Sequence, residues 1–210
     1  QKYGSVLNIG WTSDPQQPSP MFEINWWWDT MLNNAVFDYL TQPDPKTYTE
    51  LPWLAWNWTV EPWTAPGDVP GKKITFHLVD NATWHDGLPL TAEDVVFTWD
   101  YAQREQNPVY ISYLLHYVKG EAPDAHTAIA YLNTTSYWAL HWVGGNNNIP
   151  IIPKHIWQNI TNSVKYQPLV DGNYIGSGPY RSKEYKPGEY LVIEANPNYF
   201  LKPRDSTLGY

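Results

Sequence analysis

Lys73-Ile74-Thr75-Phe76-His77-Leu78-Val79, then Trp84-His85-Asp86-Gly87, then Thr91-Ala92-Glu93-Asp94-Val95-Val96-Phe97-Thr98-Trp99 is the stretch that decides the fold class. Its first part alternates, with Ile74, Phe76 and Leu78 on one side and Lys73, Thr75 and His77 on the other, which predicts a strand with one wet face. Asp86-Gly87 predicts a tight turn. Thr91 to Asp94 has the form of a capping box, and Val95, Val96, Trp99 and Ala102 continue one helix face.

Outward from that unit, strand and helix signals interleave. Ser5–Gly10 reads as a short strand and the Pro-rich 14–20 as a loop. Asp29 is the predicted N-cap of a helix carrying Met31, Leu32, Ala35, Val36, Tyr39 and Leu40 on one face and ended by Pro43 and Pro45. The passage with Trp53, Trp56, Trp58 and Trp63 reads as loop-rich, its tryptophans as packing residues, and Pro66-Gly67 and Pro70-Gly71 as turns. Thr127–Leu132 reads as a strand and Thr135–Trp142 as a weak helix stopping at Gly144-Gly145. Ile149–Pro153 should be extended, with Pro153 opening a short helix through Trp157. Tyr180–Lys186 and Glu189–Ala195 form a predicted hairpin across Pro187-Gly188. This interleaving argues α/β or α+β.

Composition narrows the function classes. The 210 residues include 13 Trp, 16 Tyr and 5 Phe, and the net charge is -8. Without a Lys/Arg run such a chain lacks the footprint for nucleic acid or an anionic lipid surface. No apolar run approaches the roughly 20 residues of a membrane helix. The aromatic and aliphatic content is enough to offset ordering entropy, which excludes intrinsic disorder. With no cysteine there is no disulfide, thiolate metal site or Cys nucleophile. Four N-glycosylation sequons occur, at Asn57, Asn81, Asn133 and Asn159. Chance in an Asn/Thr-rich chain supplies roughly two, so composition and export both account for them. The start at Gln1 fits a processed mature end or an imposed boundary.

Several motifs together resemble the signature of family 5 extracellular solute-binding proteins. They are Leu54-Ala55-Trp56-Asn57-Trp58, Ile74–Leu78, Ala82-Thr83-Trp84-His85-Asp86-Gly87 and Pro89–Trp99, followed by Ile151–Trp157, Gly176-Ser177-Gly178-Pro179-Tyr180 and Glu194–Phe200. That resemblance implies an α/β, periplasmic-binding-protein-like fold of the class II type. It further implies a partial first lobe with an inserted α+β domain and with the second lobe absent. The implied divisions are 1–40 and 148–210 for the first lobe and 41–147 for the inserted domain. It implies an extracytoplasmic component of an ABC importer, in the periplasm or anchored at the cell surface, capturing oligopeptides or dipeptides and delivering them to permease subunits in the membrane. Oligosaccharide binding within the same family, and a non-transport cell-surface or adhesion protein on the same fold, are the alternatives. A monomer is implied, with no cofactor and no metal.

In that family the loop after the first strand faces the ligand cleft. The matching residues here are Glu23, Asn25, Trp26, Trp27 and Trp28, where indole faces suit sugar C–H faces or apolar peptide side chains and the polar pair orients a ligand. The plain alternative is that some of these tryptophans fill contacts between lobe and inserted domain. Trp142 and Asn146 are placed at the cleft mouth, against the alternative of a surface loop. Catalytic patterns are missing. The six His form no His-Glu-x-x-His, Ser177 lacks a Gly-x-Ser-x-Gly elbow, and no phosphate-binding glycine loop is present. Glu93-Asp94 and Glu184 with Glu189 are the carboxylate pairs a glycosidase could use, but the first is better explained as a favourable helix start and the second lies across a solvated hairpin.

Overall fold

The computed structural model describes residues 6–10, 27–106, 110–145, 149–163 and 165–201. Its centre is a four-stranded antiparallel sheet in the order β3-β4-β6-β5, formed by β3 (Ala55–Ala65), β4 (Val69–Leu78), β5 (Tyr117–Asp124) and β6 (Thr127–Leu132). One face is dry. Ile74 and Phe76 of β4 and their register partners Ala130 and Ala128 of β6 are buried there under α2 (Ala92–Arg104), whose Trp99 ring lies 6.1 Å from that of Phe76. The other face carries Thr75, His77, Lys73 and Tyr131, as the alternation requires.

The capping box of α2 forms, with Thr91 N–H donating to Asp94 Oδ2 at 2.9 Å. Gly87 at φ +90° makes the Asp86-Gly87 turn, a backbone state that a side chain disfavours. The hairpin is β7 (Tyr180–Lys186) with β8 (Tyr190–Ala195). The segment 149–153 is extended and buried, and α4 (Lys154–Trp157) follows with Pro153 as its N-cap.

Five expectations are corrected. Residues 6–10 are exposed coil, because no strand among the described residues offers them a ladder. The first helix, α1 (Trp27–Val36), begins two residues before Asp29 and stops four before Leu40. Its end is set by tertiary bonding, since the Val36 carbonyl accepts from Gly178 N–H at 2.9 Å. Tyr39 and Leu40 are buried outside it, and the chain enters a short pair, β1 (Thr41–Pro43) with β2 (Glu50–Pro52).

The passage around Trp56, Trp58 and Trp63 is the 11-residue edge strand β3 rather than loop. A bulge between Ala55 and Asn57 and an edge proline at 62 break the two-residue rhythm that marks strands. Pro70-Gly71 lies inside β4 rather than at a turn. At that end only β3 flanks β4, because β6 joins at Lys72. The weak helix is α3 (Ala139–Gly144), starting four residues later than expected, with Thr135 to Trp138 forming its irregular approach.

The principal core is continuous from Leu40 to Phe200. It joins sheet residues to Ile149, Ile151, Ile152, Trp157, Tyr199 and Phe200. A smaller core of Leu32, Val36, Phe37, Leu169 and Tyr174 seats α1 beside the β7/β8 hairpin.

Candidate functional site

Of the residues singled out for ligand contact, Glu23, Asn25, Trp26 and Asn146 lie outside the described residues. Trp27 and Trp28 are the first two residues of α1. Trp142 sits in α3, half-buried and stacked on His116 at 5.5 Å with ring planes 21° apart. The question is therefore what fixes α1, because that decides where its tryptophan-bearing start is held.

A clasp built from four separated motifs does so. Its middle is Gly176-Ser177-Gly178. A Cβ on Gly176 would collide with the Val36 carbonyl oxygen, and one on Gly178 would lie 2.7 Å from the Val36 carbonyl carbon, so only glycine lets this segment run against the end of α1. On one side Ser177 Oγ donates to Asp38 Oδ2 at 2.8 Å. Asp38 Oδ1 also accepts from Trp53 Nε1 at 2.9 Å and Tyr199 OH at 3.1 Å, and the Asp38 carbonyl accepts from Ile151 N–H. Burial pushes the Asp38 carboxyl up to about 6, and the three donors pull it back.

On the other side His85 spans the tripeptide. Its Nδ1 accepts from Gly176 N–H at 3.2 Å, and its Nε2 lies 3.1 Å from the Gly178 carbonyl oxygen. That pairing makes Nε2 the protonated nitrogen of a neutral ring. Burial pulls the imidazole down to about 4. Asn196 Nδ2 donates to the same Gly178 carbonyl at 3.0 Å. The His-Asp-Gly turn, the Gly-Ser-Gly segment and the Asn-Pro-Asn-Tyr element, separated along the chain, thus meet at one point. Asn33, buried within α1, accepts from Tyr174 OH at 2.5 Å and is a further tie on the helix.

The carboxylates considered for catalysis have structural duties. Asp94 caps α2 and accepts Lys154 N–H at 2.9 Å, Glu93 pairs with Lys154 Nζ at 2.8 Å, Glu184 accepts from Tyr190 OH, and Glu189 pairs with Lys186. Asp86 Oδ1 accepts Leu88 N–H as a turn residue, while its Oδ2 meets His155 at 2.8 Å. All four sequon asparagines are exposed.

Sequence reasoning missed Asp38 and the bond that Ser177 makes to it. Asp38 falls within an apolar periodic run, and only its company of buried neighbours marks it. Also missed was a groove of about 400 Å³ lined by Tyr48, Glu50, Trp58, Lys72, Tyr137 and Trp138.

The fold has close relatives in solved structures. The substrate-binding protein CtaP of Listeria monocytogenes superposes with a TM-score of 0.75 at 32% identity, over 95% of this chain and 38% of that one. The oligopeptide-binding protein of Thermotoga maritima, solved with mannohexaose bound, gives a TM-score of 0.65 at 26% identity, over 94% and 34%. The peptidoglycan-binding protein YepA of Agrobacterium fabrum is 27% identical over 183 residues, 87% of this chain and 28% of that protein. The chain therefore spans well under half the length of these relatives. Residues 51–207 match the family described as "Bacterial extracellular solute-binding proteins, family 5 Middle". The chain belongs to the family 5 bacterial extracellular solute-binding proteins.

Proposed function

We propose that this chain supplies part of the first lobe, with its inserted domain, of an extracytoplasmic solute-binding protein. The whole protein captures oligopeptides or dipeptides and delivers them to the permease of an ABC importer. Residues 1–40 and 148–210 are assigned to the lobe and 41–147 to the inserted domain. The observation that carries the reading is the clasp, which fixes the end of α1 from both sides of Gly176–Gly178 and so gives the helix start a defined direction. Peptide specificity is supported by the oligopeptide-binding description of the Thermotoga maritima relative.

In this reading Trp26, Trp27 and Trp28 stack on ligand, Glu23 and Asn25 orient it, and Trp142 and Asn146 border the cleft. Trp142 has one ring face already used by His116. Closure of the two lobes shifts the population toward a ligand-bound state through contacts that neither lobe makes alone. Oligosaccharide capture is the second reading, favoured by the mannohexaose-bound relative.

The test is a melting-temperature screen of the full-length protein against di- to pentapeptides and neutral hexaoses. A ligand that binds only the native state raises the midpoint. Peptides that raise it and hexaoses that do not support the reading. The reverse pattern moves the assignment to oligosaccharides, and Trp27→Ala with unchanged peptide affinity overturns the placement of the site.

A further inference from the structure

The groove on the inserted part of the chain lies between the β1–β2 connection, the edge strand β3 and the approach to α3. Three properties set it apart from ordinary surface. The first is its aromatic wall. Tyr137 and Trp138 are 79% and 52% exposed with rings at 84°, and Trp58 faces them from β3. Large aromatics left this open gain little from packing in the free protein.

The second is that the wall's polar tips are unspent. The hydroxyls of Tyr48 and Tyr137 and the indole N–H groups of Trp58 and Trp138 make no hydrogen bond among the described residues. The charged groups nearby already have partners. Glu50 takes Thr41 Oγ1 at 2.6 Å on one oxygen and His141 Nδ1 at 2.5 Å on the other, and Lys72 Nζ donates to the Ser136 carbonyl at 2.7 Å.

The third is strain. Tyr48 holds φ +57° in the Asp44–Thr49 connection, a region where glycine or asparagine is the low-cost choice. The turn is closed by backbone bonds, Tyr48 N–H to the Asp44 carbonyl and Asp44 N–H to the Thr49 carbonyl, that any residue would make. Its ring is 74% exposed, so core packing does not repay the strain.

Apolar ring faces edged by uncommitted donors and acceptors, with the nearby charged groups already hydrogen-bonded, suit a ligand that is itself both: a pyranose, whose C–H face stacks while its hydroxyls bond at the rim. Both Glu50 oxygens are already taken, which disfavours a cationic ligand, and Lys72 Nζ is held by the Ser136 carbonyl. We propose that this groove is a second ligand site, distinct from the interlobe cleft, that takes neutral pyranose units of an oligosaccharide. It stands independently of which ligand the cleft takes.

The test uses the full-length protein with ¹⁵N-labelled indoles, titrated with mannohexaose and with cellohexaose. The expected result is that the Trp58 and Trp138 Nε1–H signals move and saturate in the millimolar range with at least one hexaose. Ligand held only in the cleft leaves these two signals unmoved and overturns the proposal. Tyr48→Gly removes the ring and relieves the backbone, so the melting temperature should hold or rise while affinity falls about fivefold to tenfold, the worth of one stacking partner. Tyr137→Ala, at an exposed position, should weaken binding similarly. Unchanged affinity in both variants overturns the proposal. So does movement of these signals by tetramethylammonium or tetra-alanine and by neither hexaose.

Discussion

Asp38 and His85 flank one tripeptide and carry opposite protonation anomalies, which makes their pH behaviour a sharp test of the clasp. Asp38 has its carboxyl raised from 3.8 to about 6, so between those values the folded state binds the extra proton and stability falls as pH rises. His85 has its ring lowered from 6.5 to about 4, so the unfolded state binds the extra proton there and stability rises with pH. Each amounts to at most about 3 kcal/mol, and over pH 4 to 6 they largely cancel. Asp38→Asn should therefore unmask a stability that climbs from pH 4 to 6.5, and His85→Gln one that declines from pH 4 to 6, both read from urea midpoints at each pH. Slopes of the same sign in the two variants would contradict the clasp as described. Gly178→Ala tests its middle. The new methyl would lie 2.7 Å from the Val36 carbonyl carbon and 2.8 Å from the Ala35 oxygen, both backbone atoms that cannot swing away. A loss of about 2–4 kcal/mol is expected by chemical denaturation.

At the scale of elements, Asp94 ties the start of α2 to the start of α4 by both of its oxygens. Asp94 Oδ2 takes Thr91 N–H and Oδ1 takes Lys154 N–H, both at 2.9 Å. Asp94→Ala strands two amide donors and should cost about 2–3 kcal/mol, seen as a melting temperature lower by roughly 4–10 °C. Asp94→Asn keeps one acceptor and should fall between. Elements like this one were legible because local chemistry defines them. Alternation wrote β4, the capping box wrote α2, and Pro187-Gly188 wrote the β7/β8 hairpin. The misread ones depend on partners that are distant in sequence. β3 is a strand because β4 pairs it through a bulge, β5 was missed because it shifts register twice against β6, and α1 ends where Gly178 claims Val36. The candidate site follows the same division. The motifs carrying the family resemblance could be read off the chain, whereas the buried bonding of Asp38 and the groove around Tyr48 exist only after folding.

At the scale of the molecule, the proposed division into lobe and inserted domain follows the chain path, and the packing does not respect it. The core that holds the buried sheet residues and α2 also takes in Ile149, Ile151, Ile152, Trp157, Tyr199 and Phe200, which come from beyond residue 147. Trp53, near the start of that stretch, packs edge-on against Phe200 at 6.4 Å and donates to Asp38. Three of these residues are aromatic, and fully burying each large side chain contributes about 1.5–3 kcal/mol. Their combined share, on the order of 10 kcal/mol, matches the whole stability of an ordinary domain. The sheet and α2 should therefore not survive without them. A piece comprising residues 41–147 is expected to show no cooperative thermal transition, while the chain through Tyr210 melts once, with far-ultraviolet circular dichroism and tryptophan fluorescence coinciding. An autonomous, cooperative melt of the 41–147 piece would show that the shared core is dispensable and that the inserted part is a domain in the energetic sense as well.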